Sequence, residues 1–278
     1  MRRREFIVGL GAGAWPIVAR AAANTGDYSG AGMKRSITAL AAHNNALWCD
    51  AVCRAHGRPG EFHDTLWLTR LGAPRFYPDA VTIAGVEAAP AQMEAIAALV
   101  GSARQREWFV KDSVQSLDLD LLGFEPVFDA EWVALSGPPP DVDPSEHRLT
   151  RVTSKAGLIA WEQSWAGEEV NAAAISEQRI FMPGLLADPN VVFVSIQRDN
   201  GIVGGGILNR AAEVVGLSNL FGPSIDMVYR RLAVMAPEIF PGLPLVGYEH
   251  GVELAAAHHA GFKTVGALRV WKRGAEAL

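Results

Sequence analysis

YEHGVELAAAHHAGFKTVGALRVW, residues 248–271, is the stretch on which the reading of this chain turns. Tyr248 and Glu249 finish an apolar strand, LPLVGYE. The next segment carries Ala255, Ala256, Ala257 and Ala260, strong helix formers with almost no bulk. Gly261 stops that helix, because glycine takes the left-handed conformation a helix end needs. Phe262 to Trp271 reads as a closing strand. A helix of small residues lies close against a sheet or against a flat ligand, and the sequence leaves both open.

Working upstream, the order is β-α-α-β-β-β-α-β-α-β. LTRVTS predicts a strand, and Lys155 to Ala166 a helix with Leu158, Ile159, Trp161 and Trp165 on its apolar side. EEVNAAAISEQRI predicts a second helix, stopped near Pro183-Gly184. Val191 to Arg198, Ile202 to Arg210 and Glu213 to Phe221 predict a three-strand meander, its first turn at Asp199-Asn200-Gly201. Ser224 caps a helix predicted over Ile225 to Met235, with Asp226 in its first turn. Gly204-Gly205-Gly206 follows a strand start, so it reads as close backbone approach and not as a phosphate loop.

GPPPDVDPSEH, residues 137–147, breaks the body into 33–136 and 148–278, since three consecutive prolines join neither a helix nor a central strand. The first half predicts helices over 44–56, 90–100 and 114–122 and strands over 67–70, 80–84, 108–112 and 127–135. Its end, VKDSVQSLDLDLLGFEPVFDAEW, lays over the end of the second half: strand, acidic residue, helix, Gly-Phe, strand, Trp. Duplication and convergence on a common unit both account for that match.

With 278 residues, 49% of them apolar and a net charge of −5, the chain builds a substantial core and has no overall attraction for nucleic acid or anionic lipid. Two cysteines make no disulfide framework. Residues 1–32 are a separate segment. Residues 1–23 have a basic head and an apolar run, the layout of an export signal, and Arg3-Arg4-Glu5-Phe6 follows a twin-arginine pattern. NTGDYSGAG after it reads as a tether. The expectation is a cytoplasmic body initiated near Met33, or, if the signal is used, export to the periplasm.

From about Leu149 to Trp271 the meander, the following helix and the strand–helix–Gly-Phe–strand ending resemble the GCN5-related N-acetyltransferases, the GNAT fold. The resemblance implies an α+β chain: a mixed, mostly antiparallel sheet flanked by helices, with a second, smaller GNAT-like half. It implies a sheet that opens between its fourth and fifth strands to take acetyl-CoA, and transfer of the acyl group to a small-molecule amine. Carried onto this sequence, the main-chain groups around Ser218, Asn219, Leu220 and Phe221 would meet the pantetheine arm. Gly222 and Ser224 would meet the pyrophosphate at a helix start. The sequence departs from the family pattern in two places, the loop after the fourth strand and the position of the acid. Pro223 removes an amide donor and Asp226 faces the phosphates, and Ala257 stands where the family has a tyrosine acid.

Glu249 is the candidate base, with capping of the next helix as its alternative role. Tyr248 points to the opposite side of the same strand. Asn219, an amide in an apolar strand, either orients substrate or pins a bulge. His250 is the candidate replacement acid, whereas His258 and His259 diverge on their helix. Cys49, Cys53 and His56 form one helical stripe that reads as core. Trp67, Phe76 and Tyr77 read as pocket walls between the halves or as plain core.

Overall fold

Both Gly-Phe pairs end their helical turns in the same way. Gly261 has φ +91°; its N–H donates to the His258 carbonyl at 2.9 Å, and the Phe262 N–H donates to the Ala257 carbonyl at 3.1 Å. Gly123 has φ +76°, and the bonds recur from Gly123 to Asp120 at 2.9 Å and from Phe124 to Leu119 at 3.1 Å. This is the paired bond of a Schellman cap. Phe262 and Phe124 follow into the core, each fully buried.

The computed structural model of the chain describes residues 35–102, 106–138, 147–167, 179–199 and 201–275. Its helices are α1 (Ile37–Ala55), α2 (Ala89–Gly101), α3 (Lys155–Ala166), α4 (Ile225–Ile239) and α5 (Gly251–His259). Its strands are β1 (Glu61–Phe62), β2 (Leu66–Leu68), β3 (Ala80–Thr82), β4 (Trp108–Asp112), β5 (Glu125–Leu135) and β6 (Arg148–Arg151), then β7 (Val191–Arg198), β8 (Gly201–Ala211), β9 (Val214–Phe221), β10 (Leu245–Glu249) and β11 (Lys263–Arg273). All eleven join one sheet in the order β1-β2-β3-β4-β11-β5-β10-β9-β8-β7-β6. Only β3/β4 and β9/β10 run parallel. The chain is thus α+β with a mixed, mostly antiparallel sheet.

That order reads the same from either side of the β11/β5 pair, apart from the extra edge strand β6. The last strand of each half lies inside the other: β11 pairs with β4 and β5, and β5 pairs with β10. The correspondence runs from β1 with β7 through to β5 with β11, further than the sequence overlay reaches. The proline-rich stretch joins β5, at mid-sheet, to β6 at the edge.

The sheet curls around α1, which touches β3, β5, β8, β9 and β11. Its Ala41, Ala42, Ala46, Trp48, Val52 and Cys53 are all buried, and no residue from Ala41 to Cys53 is exposed, the pattern of a helix covered on all sides along its middle. Asn44 fixes its register: Nδ2 donates to the carbonyls of Asn209 and Ala211 at 3.0 and 3.1 Å, and Asn209 Nδ2 donates back to Asn44 Oδ1 at 2.9 Å. Gly216 makes room for this pair, because a Cβ there would lie 2.1 Å from Asn44 Oδ1. On the same side Trp161 of α3 meets Phe181, Phe193 and Phe221 edge-on. Burying each such ring contributes on the order of 2–3 kcal/mol. Gly205 admits that indole: a Cβ would lie 2.8 Å from Trp161 Nε1 and 2.4 Å from the Val194 carbonyl. The glycine triplet is a close-approach site, as its position predicts. The helices α4 and α5 pack on the outer face with Phe262.

Several predicted bounds move. The helix expected over 44–56 starts at Ile37, where Ser36 Oγ accepts from the Ala39 N–H. The helix from Ile225 runs past Met235 to Ile239, with Pro237 inside its last turn. The helix expected over 114–122 is only a short 3-10 turn, Asp120–Leu122. The buried Asp112 carboxylate draws the Leu117 N–H at 2.8 Å and the Val114 N–H at 3.4 Å, and Gln115 takes φ +52°. Those side-chain bonds replace the ones a helix would make. Residues 168–178 of the helix expected over EEVNAAAISEQRI, the export-like segment 1–32 and residue 200 of the hairpin turn lie outside the described residues, and Arg179 and Ile180 at the end of that stretch are not helical. Among the described residues no helix is long and apolar enough to cross a membrane.

Candidate functional site

β9 and β10 share register at only two positions, Val215 with Leu245 and Gly216 with Val246. Beyond them Leu217 to Phe221 and Gly247 to Glu249 have no common rungs. The far edge of β10 stays paired to β5 along its whole length. The far edge of β9 follows β8, with a slip between Gly205 and Ile207. Asn219 sits at that slip with φ +54°, an unusual conformation for a residue with a side chain, and bulges the strand. Gly247 lies at the parting, where a Cβ would stand 3.3 Å from the Leu217 carbonyl oxygen and 3.7 Å from the Tyr229 hydroxyl. The strands therefore separate between a glycine on one side and a bulge on the other.

Glu249 is 3% exposed and faces α4, where the Tyr229 hydroxyl donates to its Oε1 at 2.7 Å. The N-cap position of α5 is His250, one residue further on, and the His250 side chain makes no capping bond. Tyr248 points to the opposite, α1 side, as strand alternation requires, and packs edge-on against Trp132 at 5.5 Å. His250 is half-buried, its ring 5.0 Å from that of Phe128. Asn219 Oδ1 accepts from the Tyr77 hydroxyl at 3.3 Å on the α1 side of the parting. Glu249 and Asn219 therefore serve opposite faces of the sheet.

Of the positions expected along the cofactor arm, Leu220 is buried and Phe221 packs on Trp161. The Ser218 hydroxyl oxygen is buried and has no hydrogen-bond partner among the described residues. An orphaned polar atom beside an unpaired strand edge suits a ligand with amide and carbonyl groups of its own. The helix-start region fits phosphate less well. Gly222 has φ +148°, but Pro223 has no N–H, and Ser224 Oγ accepts the Met227 N–H at 3.4 Å. Asp226, in the same turn, is paired with Arg230 at 3.1 Å.

Three further residues enter from distant elements. Tyr77 is held by its loop, which Asp79 ties down: that carboxylate accepts from the Ala73 and Phe109 N–H groups at 3.0 Å each and pairs with Arg106 at 2.9 Å. Burial pushes the Asp79 carboxyl up despite those bonds. Burial also holds the Tyr77 phenol well up, so it stays a neutral donor. Next to it Phe76, at φ +73°, meets Trp165 edge-on at 5.9 Å. Of the three aromatics expected as walls, these two do join the halves. Trp67 is core, its Nε1 donating to Asp50 at 3.1 Å. Tyr229 and Lys111 carried no signal in the sequence, since each reaches the site only through contacts across the sheet. Lys111 Nζ lies 4.2 Å from the Tyr248 ring centre. The Cys49–Cys53–His56 stripe is core: both thiols are buried, and His56 Nε2 lies 2.8 Å from the Ile180 carbonyl.

No protein-family model matches the chain, and no curated protein matches it. Solved structures do. A GCN5-related N-acetyltransferase from Kribbella flavida superposes with a TM-score of 0.55 at 13% identity, over 84% of this chain and 95% of that one. A tandem GNAT protein from the clavulanic acid biosynthesis pathway gives 0.50 at 12%, over 86% and 97%. A conserved protein of unknown function from Staphylococcus epidermidis gives 0.51 at 9%, over 79% and 95%. At such identities the likeness establishes the fold: this chain has the GNAT fold.

Proposed function

We propose that this chain is an acyl-CoA-dependent N-acyltransferase built as two joined GNAT-like halves, with acetyl-CoA as donor and a small-molecule amine as acceptor. The observation that carries this reading is the parting of β9 from β10 after Gly216 and Val246. Unpaired backbone groups at a strand edge can take up the amides of a pantetheine arm, as an added strand would. The donor supplies an activated acyl thioester. The acceptor nitrogen forms a bond to the acyl carbon, the carbon–sulfur bond breaks, and the nitrogen loses a proton. Glu249 is assigned to accept that proton, and the Tyr229 hydroxyl bonded to it to protonate the leaving sulfur. Asn219, turned out by its φ of +54°, is assigned to orient the acceptor from the α1 side. His250 at the end of the same strand is the other candidate acid.

A second reading, a GNAT-fold binding protein without transfer chemistry, is favoured by the thin phosphate cradle around Pro223 and Ser224. Thermal unfolding with acetyl-CoA tests the first step common to both. Ligand at a hundred times its dissociation constant adds about 2.7 kcal/mol to the folded state, several degrees of Tm for a chain of this size. No shift at millimolar acetyl-CoA overturns the transferase reading. A shift without thiol release, across a panel of amines, leaves the binding protein.

A further inference from the structure

Lys111 is 4% exposed, and an ammonium removed from water calls for a counter-charge. Among the described residues it has no ion pair. Its side-chain hydrogen bond among the described residues runs from Nζ to Asn45 Oδ1 at 2.7 Å, and the Tyr248 ring centre lies 4.2 Å from Nζ. Two nearby groups that could carry negative charge are neutral, and a third is engaged elsewhere. Burial pushes the Cys49 thiol up to about 11 and the Tyr77 phenol well up, so both stay neutral. Asp50 is turned away, held by Arg54 at 2.8 Å and by the Trp67 indole. Lys111 thus offers spare donors to a site that the described residues leave without a counter-charge.

Its place in the sheet is not arbitrary. Lys111 precedes the terminal acid of β4 as Tyr248 precedes the terminal acid of β10, so the two are counterparts in the halves. They lean toward each other over β11 and β5 on the side of α1. Asn45, Tyr248 and Asn219 are each half-buried, so the groups around the nest keep partial contact with solvent. Trp48 and Tyr77, 6.3 Å apart, add aromatic walls.

We infer that Lys111, with Asn45 and Tyr248, forms a subsite for the carboxylate of the acceptor, which makes the acceptor class an amine bearing a carboxylate on an apolar or aromatic body. The assignment of that ligand as acceptor rests on the transferase reading; the anion subsite itself does not. Three probes differ only at the group in question: phenylalanine, its methyl ester and phenethylamine. Binding is read by calorimetry and thermal shift on the full chain, with acetyl-CoA titrated separately. The wild type should bind phenylalanine about tenfold or more tightly than the ester or the amine, the size of one charge-assisted bond. Lys111→Met should lose the preference while keeping the acetyl-CoA shift, and Lys111→Arg should keep part of it. Removing a buried, unpaired cation should leave the Lys111→Met unfolding midpoint no lower than wild type, which checks the fold. Equal binding of acid and ester, no binding of phenylalanine, or a preference that survives in Lys111→Met overturns the inference. A Lys111-dependent preference without any acetyl-CoA shift leaves the anion subsite standing and removes the transferase reading.

Discussion

The parallel pairs β3/β4 and β9/β10 hold matching places in the sheet, yet one is laced shut and the other parts. Past the last rung of the first, Val81 with Lys111, the Ser113 N–H donates to Thr82 Oγ1 at 2.7 Å. The chain then turns away, Ile83 and Ala84 both donating to the Thr65 carbonyl. Past the last rung of the second there is instead Gly247 facing a bulge at Asn219. The strand-end acids differ in the same sense. Asp112 bonds the turn that follows it, whereas Glu249 is held across a gap by Tyr229. A shared frame therefore supplies two places for an opening, and a few side chains decide which one opens.

The largest test of this contrast is Gly216→Ala, at the last rung before β9 leaves β10. The new methyl would meet Asn44 Oδ1 at 2.1 Å and Asn209 Oδ1 at 2.5 Å. Overpacking together with a broken buried amide pair should cost about 2–5 kcal/mol in urea unfolding. A neutral result would mean that α1 is not pinned there. Tyr229→Phe should cost about 2 kcal/mol, because it removes a buried donor to a carboxylate, and should lower turnover more than acetyl-CoA affinity. Thr82→Val leaves the Ser113 N–H without its acceptor. The expected cost is about 1–2 kcal/mol, with faster amide exchange at Ser113 and no change at Gly247.

The smallest effect belongs to the pair that joins the exchanged strands, Asp129 on β5 and Arg269 on β11, at 2.6 and 2.9 Å. Hydrogen bonding to Arg269 holds the Asp129 carboxyl below its ordinary value. A depressed carboxyl contributes stability above its unfolded value and loses it as pH falls through the folded one. Both side chains are partly exposed, so Asp129→Asn should cost about 0.5 kcal/mol at neutral pH. The difference from wild type should vanish in acid; one that persists there would place its origin outside the ion pair.

Much of the second half was legible because its signals are local. The strand Val191–Arg198, the helix Lys155–Ala166 and the Gly261 stop depend on neighbours within a few residues, and they stand where the pattern put them. The expected helix over 114–122 failed through a local competitor as well, the Asp112 carboxylate, whose reach to Leu117 hydropathy does not register. Of the candidate site residues, Asn219 and Glu249 flank the parting, but on opposite faces, and the partners that define them, Tyr77 and Tyr229, come from remote elements.

The sequence by itself determined the meander, the helices that flank it and the closing strand–helix–strand of the second half, since apolar period, caps and stop residues act over one or two turns. It also determined that two strand–turn–Gly-Phe–strand units exist. Only the tertiary structure decided that each half's last strand lies inside the other, that α1 fills the curl of one continuous sheet, and that Lys111 meets the Tyr248 ring. Such contacts join residues more than a hundred positions apart, and they are chosen by the burial of whole faces, which no short stretch of sequence encodes.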